Sequence, residues 1–170
     1  MMSNRIMRAA ACAALTCSML GVAAPASAAL GGSPTTPPTG AVSTSLEPVA
    51  HVASGAASAT SSTSTASYTV TQTTFSSGTV VREYVSTAGV VFGIAWSGPV
   101  MPNLPVLLGT YFSQFDSARN TLRAAHPGRG PLDIELPGLV VRSGGHMGAF
   151  GGQAYLPSAL PAGVSATDIR

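Results

Sequence analysis

Lysine is missing from this chain: its eight basic residues are all arginine. A Schiff-base lysine, a Ser-Lys dyad and a phosphate-loop lysine are therefore excluded. Cysteine is almost missing as well. Cys12 and Cys17 both lie in an apolar run near the start, and none follows. Past that run there is no disulfide framework, no thiolate nucleophile and no cysteine metal site. Charged residues make up 8% of the chain, against roughly 25% in an average soluble domain. The formal net charge is +2, and Arg5 and Arg8 account for it. Beyond them, arginines and acids balance, and no clustered basic face for nucleic acid is visible. The apolar run itself falls short of the roughly 20 residues a membrane span needs.

What the start does contain is a secretory signal. Arg5 and Arg8 form a positive n-region, Ala9 to Ala24 carries no charge, and Pro25 breaks the run. Ala26-Ser27-Ala28 then offers small residues at the positions a signal peptidase reads. Residues 1–28 are read as a cleaved signal peptide, so the mature chain is exported, periplasmic or secreted, with no stable membrane anchor. A retained anchor is the runner-up, because the alanine-rich run could extend to Leu30. Ala14-Leu15-Thr16 ahead of Cys17 does not fit a lipid-attachment site.

Residues 29–66 are mostly Ser, Thr, Ala, Pro and Gly, with one charge, Glu47, and no Phe, Trp or Tyr. Such a composition buries too little apolar surface to offset ordering entropy, and predicts a disordered linker in which His51 is solvated. Residues 67–170 are long enough for one domain with one core.

That domain opens with three strand-like runs. Tyr68 to Phe75 alternates threonine with other residues, as an edge strand does. Ser76-Ser77-Gly78 and Thr87-Ala88-Gly89 are turns, with Thr79 to Ser86 between them. In Val90 to Trp96 the period of two puts Val90, Phe92, Ile94 and Trp96 on one face. A helix follows, with Asn103 as N-cap and Pro105 in its first turn. Leu104, Leu107, Leu108, Tyr111, Phe112, Phe115 and Leu122 form its apolar stripe. Gly109 weakens its middle, and Pro127-Gly128 stops it after His126. Leu132 to Leu136, Leu139 to Ser143 and Ala149 to Leu156 are the closing strands. Pro137-Gly138 and Ser143-Gly144-Gly145 are the turns between them. The expectation is an α+β fold: a single small domain with a twisted antiparallel sheet of about five to six strands. The order is βββ-α-ββ(β), with the sheet packed on one amphipathic helix.

The densest feature is the run from Arg142 to Gly152. Arg142, Gly144, Gly145 and His146 are the ligand-binding candidates, as a backbone anion nest flanked by a cation and an imidazole. The structural alternative is a tight hairpin with a bulge, in which glycine solves backbone geometry. A metal site would need His126 and His146 to converge with Asp133 or Glu135, and their spacing is not that of metal ligands. No Gly-x-Ser-x-Gly or Ser-x-x-Lys marks a serine hydrolase. Glu83 with Asp133 or Glu135 could form a glycosidase pair. With Arg82 and Tyr84 beside it, Glu83 instead reads as an exposed strand residue. No cofactor or metal is expected.

Several blocks, in order, resemble a known family: Thr79 to Val85, Val91 to Trp96 leading into Gly98-Pro99, and Leu107 to Phe112. Leu139 to Met147 with Phe150, and Leu160 to Val164, complete the set. Together they resemble the domain-of-unknown-function 2844 family of short secreted Gram-negative bacterial proteins. The resemblance implies export and no activity that can be carried to any residue. With no convergent catalytic set, the reading points away from an enzyme. It favours a non-enzymatic envelope or secreted module that binds an envelope or extracellular partner, and not nucleic acid. The alternatives are a small hydrolase or lyase using His146 with Arg142 and a carboxylate, and a structural envelope component.

Overall fold

Glycine closes the first hairpins where the sequence places them. Gly78 and Gly89 take φ of 83° and 77°, a region open to glycine without a Cβ penalty. Phe75 N–H donates to Thr79 O, and Ser86 N–H to Val90 O, each at 2.9 Å. The computed structural model describes residues 30–46, 68–128 and 130–170. Residues 1–29, with the expected signal peptide, residues 47–67, with His51 and the second part of the expected linker, and Arg129 lie outside them.

Among the described residues seven strands form one antiparallel sheet in the order β1-β2-β3-β4-β7-β6-β5. They are β1 (Val42–Leu46), β2 (Tyr68–Thr74), β3 (Val80–Ser86), β4 (Val91–Gly98), β5 (Leu132–Leu136), β6 (Leu139–His146) and β7 (Ala149–Tyr155). The α+β class is as expected, and the sheet exceeds the expected five to six strands. The addition is β1, from the stretch read as linker, so β2 is not the edge strand it was expected to be. That stretch lacks aromatic anchors and is held instead by a buried leucine and backbone hydrogen bonds. Leu30 is 2% exposed in the core, and its N–H donates to Leu107 O at 2.9 Å. Gly31 N–H to Val91 O, and Val91 N–H to Gly32 O, tie the chain down at 2.8 Å. Residues 30–46 thus form a strap across the start of β4 that ends in β1.

The connection from β4 to β5 is helical but not one helix. It comprises α1 (Leu104–Leu108), a 3₁₀ turn (Gly109–Tyr111) and α2 (Phe112–Ala125). Gly109 sits at φ 51°, ψ −122°, far from α-helical values, so it breaks the α-helix rather than weakening it. The break rotates the stripe: Leu107, Leu108 and Phe115 are buried, and Phe112 is only partly so. No described helix is long and apolar enough to cross a membrane.

A β-bulge overturns the face expected for β4. Tyr84 pairs with Gly93 and Val85 with Val91, which leaves Phe92 unpaired. One extra residue shifts the alternation. Val91, Ile94 and Trp96 therefore face the helices. Phe92 turns to the other face, edge-on to Tyr68 with centroids 5.8 Å apart. The tail, which lacks periodicity, covers that second face. Ile169 fills the space where a Gly93 Cβ would lie 2.7 Å from its Cδ1. Tyr84 Oη donates to Arg170 O at 2.8 Å.

The last hairpin also differs from expectation. Ser143-Gly144-Gly145 is strand, not turn: Gly144 pairs with Gly151 and Gly145 with Phe150. The turn is Met147-Gly148, where Gly148 has φ 86°.

Candidate functional site

The sheet register decides which of the singled-out residues meet. Gly144 and Gly145 lie within the β6–β7 ladder, where bare backbone is needed for close approach. A Cβ on Gly145 would lie 2.2 Å from Ala149 O. Arg142 is two residues before Gly144 on β6, opposite Asp133 on β5. Its Nε lies 3.2 Å from Asp133 Oδ1 and its Nη2 2.5 Å from Glu135 Oε1. Hydrogen bonds to Asp133 first, then Glu135, hold the guanidinium more firmly charged. Arg142 and Gly144 border an open cleft of about 570 Å³ with Asp133, Gln153 and Arg170. Gly145 lies on a different cleft with Phe115 and Arg123. His146 borders neither. It is exposed beside the turn, with Nδ1 3.0 Å from Met147 O. The structure brings Arg142 and Gly144 together and leaves His146 apart.

The other constellations do not assemble. His126 caps the C-terminus of α2 and shares a groove with Asp133 that His146 does not border. Among the described residues no three of His, Cys, Asp and Glu group as metal ligands do. Glu83 on β3 is four strand steps from β5. At about 4.8 Å per step, that is ~19 Å from Asp133 or Glu135, too far for a glycosidase pair.

Glu83 itself is the correction with most chemical content. It is 2% exposed, not on an exposed strand face. Val81 and Val85, two residues to either side, are both buried among the helix-facing core residues. That alternation was legible in the sequence, and the polar neighbours Arg82 and Tyr84 masked it. Thr35 from the strap donates its backbone N–H to Glu83 Oε1 and Oε2 at 3.1 and 3.2 Å. Its hydroxyl donates to Oε1 as well. Burial raises the carboxyl pKa, and the Thr35 hydrogen bonds pull it partly back.

Beside this carboxyl lies a cavity of about 300 Å³. The strap gives one wall through Thr35 and Pro37. The β2–β3 hairpin gives Phe75 and Val81, and the start of α1 gives Asn103 and Val106. Asn103 fixes the last wall by capping α1, its Oδ1 accepting from Val106 N–H at 3.4 Å. A buried acid with an altered affinity for its proton, at the edge of an apolar hollow, is a chemically distinctive arrangement. It can receive a donor or a positive charge from something small enough to enter.

No curated protein and no solved structure matches this chain. A family model described as "Protein of unknown function (DUF2844)" matches residues 26–169, nearly all of the strap, sheet, helices and tail, and the chain belongs to that family.

Proposed function

We propose that this protein is an exported, non-enzymatic binding module that takes a small ligand in the cleft over Glu83. The observation that carries the reading is a carboxyl group 2% exposed beside a cavity of about 300 Å³. That volume sits at the lower end of the range for small-molecule sites. The walls are mostly apolar, with a few convergent polar groups, as such sites require. Export rests on the N-terminal signal features. The hydrolase reading needs an imidazole beside an acid. Here Asp133 and Glu135 are both engaged by Arg142, while His146 turns to a backbone carbonyl. A second reading keeps the open cleft of Arg142, Gly144, Gln153 and Arg170 as a site for an anionic group. Two arginines there favour it, and the carboxylates already bound to Arg142 compete with it.

The test uses protein recovered from the exported fraction. Its intact mass should correspond to a chain starting at Ala29, with no free thiol. Thermal shifts are then read with 2-phenylethylamine, 2-phenylethanol and phenylacetate. At least one should raise the midpoint of the parent, because a ligand of the native state stabilises it by mass action. Val106→Trp fills the cavity from a wall residue that is 37% exposed, and should remove the shift. No shift with any of the three, or shifts that survive in Val106→Trp, would overturn the cleft as the site.

A further inference from the structure

We infer that the ligand of the Glu83 cleft carries a protonated amine on a compact apolar body, with the ammonium seated on the carboxylate. The inference rests on the cleft being a binding site, and it names what enters.

The argument is one of unmatched charge. A carboxylate offers about four lone-pair sites. Thr35 addresses both oxygens, but with an amide and a hydroxyl, which carry no formal charge. No described residue lining the cleft is a lysine, arginine or histidine. Lysine cannot be supplied from elsewhere in the chain, because the chain has none. The closest arginine in sequence, Arg82, points to the opposite sheet face. There its Nε donates to Gln72 Oε1 at 3.0 Å and its Nη1 to Arg170 O at 3.0 Å. Buried carboxylates are ordinarily paired with a cation or neutralised. An incoming ammonium would provide three donors and the missing charge at once.

The rest of the lining fixes the other half of the ligand. Phe75, Val81, Val106 and Leu107 present carbon, and Pro37 and Pro102 add ring faces without N–H groups. Such walls favour an alkyl or aryl body, with Thr36, Thr73 and Asn103 as the other polar lining residues. An anion is excluded by Glu83. A neutral alcohol of the same shape keeps the apolar contacts and loses the charge-assisted hydrogen bond.

The experiment compares 2-phenylethylamine with 2-phenylethanol by calorimetric titration of the full exported chain near neutral pH. The amine should bind at least about tenfold more tightly, the discrimination expected of one charge-assisted hydrogen bond. Glu83→Gln should reduce the amine to the affinity of the alcohol and leave the alcohol unchanged. A second measurement needs no variant. Among the described residues lining the cleft Glu83 is the only titratable group, and Arg82 and Tyr84 face the other side. Amine affinity in the parent should therefore fall as acid protonates Glu83, while alcohol affinity stays level. Equal affinity for amine and alcohol, or an amine affinity indifferent to Glu83→Gln and to pH, would overturn the inference and leave the cleft as a site for neutral ligands. Binding by neither compound would overturn the inference together with the reading of the cleft.

Discussion

Gly151 and Gly152 are adjacent, yet alanine should act oppositely at the two positions. A Cβ on Gly152 would lie 2.3 Å from Trp96 Cζ2, 2.7 Å from Trp96 Cε2 and 2.6 Å from Arg142 O. All three are below the distance at which carbon atoms rest, so something must move. Trp96 is 3% exposed and packed among the helix-facing core. Arg142 O belongs to β6, whose ladder to β7 runs through this point. Neither yields cheaply. Overpacking of this kind costs ~1–3 kcal/mol, and Gly152→Ala should lose that amount in urea unfolding. A Cβ on Gly151 meets only Trp96 O at 3.7 Å, an ordinary contact. Gly151→Ala should be neutral, or more stable by up to about 1 kcal/mol through reduced unfolded-chain entropy. Trp96→Leu removes the clashing ring atoms, so adding it to Gly152→Ala should recover part of the loss. A double-mutant cycle by circular dichroism reads that coupling. If Gly152→Ala is as stable as the parent, or the two glycines respond alike, the packing argument is wrong.

Leu30→Ala should cost ~2–5 kcal/mol in the same assay, since the strap's anchor is fully packed. A loss within error of zero would mean that residues 30–46 do not pack on the core in solution. The raised pKa of Glu83 predicts a pH dependence of definite sign. The native state holds a proton that the unfolded chain releases above the ordinary carboxyl value. This stabilisation is complete at low pH and is lost as pH rises through the raised native value. Above the ordinary carboxyl value, parent stability minus that of Glu83→Gln should therefore decline as the pH rises. A difference that rises with pH would show that the carboxylate, not the acid, is the favoured buried form.

Much of the architecture was legible because it is local. The turns at Gly78, Gly89 and Pro137-Gly138, the Asn103 cap and the span Leu132–Leu136 follow from turn and cap chemistry and short-range alternation. What was not legible depends on partners distant in sequence. β1 has no apolar pattern of its own and is a strand because β2 offers it an edge. Phe92 changed faces because of a bulge, which alternation alone does not reveal. The Gly144-Gly145 pair looks like a turn in one dimension. It is strand because Phe150 and Gly151 come back alongside it. Of the candidate site residues, Arg142 and Gly144 share a cleft and His146 stands outside it. The Glu83 cavity could not be read at all, since one wall comes from a stretch whose composition resembles a linker.

The strand order also has a consequence for how the chain assembles. β2, β3 and β4 follow one another in space as in sequence, and so do β5, β6 and β7. Each trio is a meander whose pairings close over short loops. The one pairing that joins them is β4 with β7, from Gly93↔Tyr155 to Gly98↔Phe150. Joining the two meanders is therefore one long closure, to which the strap's contacts with Val91 and Glu83 and the tail's with Tyr84 add their own. Trp96 lies on that line opposite Gly152 and is the chain's one tryptophan. Its fluorescence should change when the two meanders meet, so that step carries its own reporter.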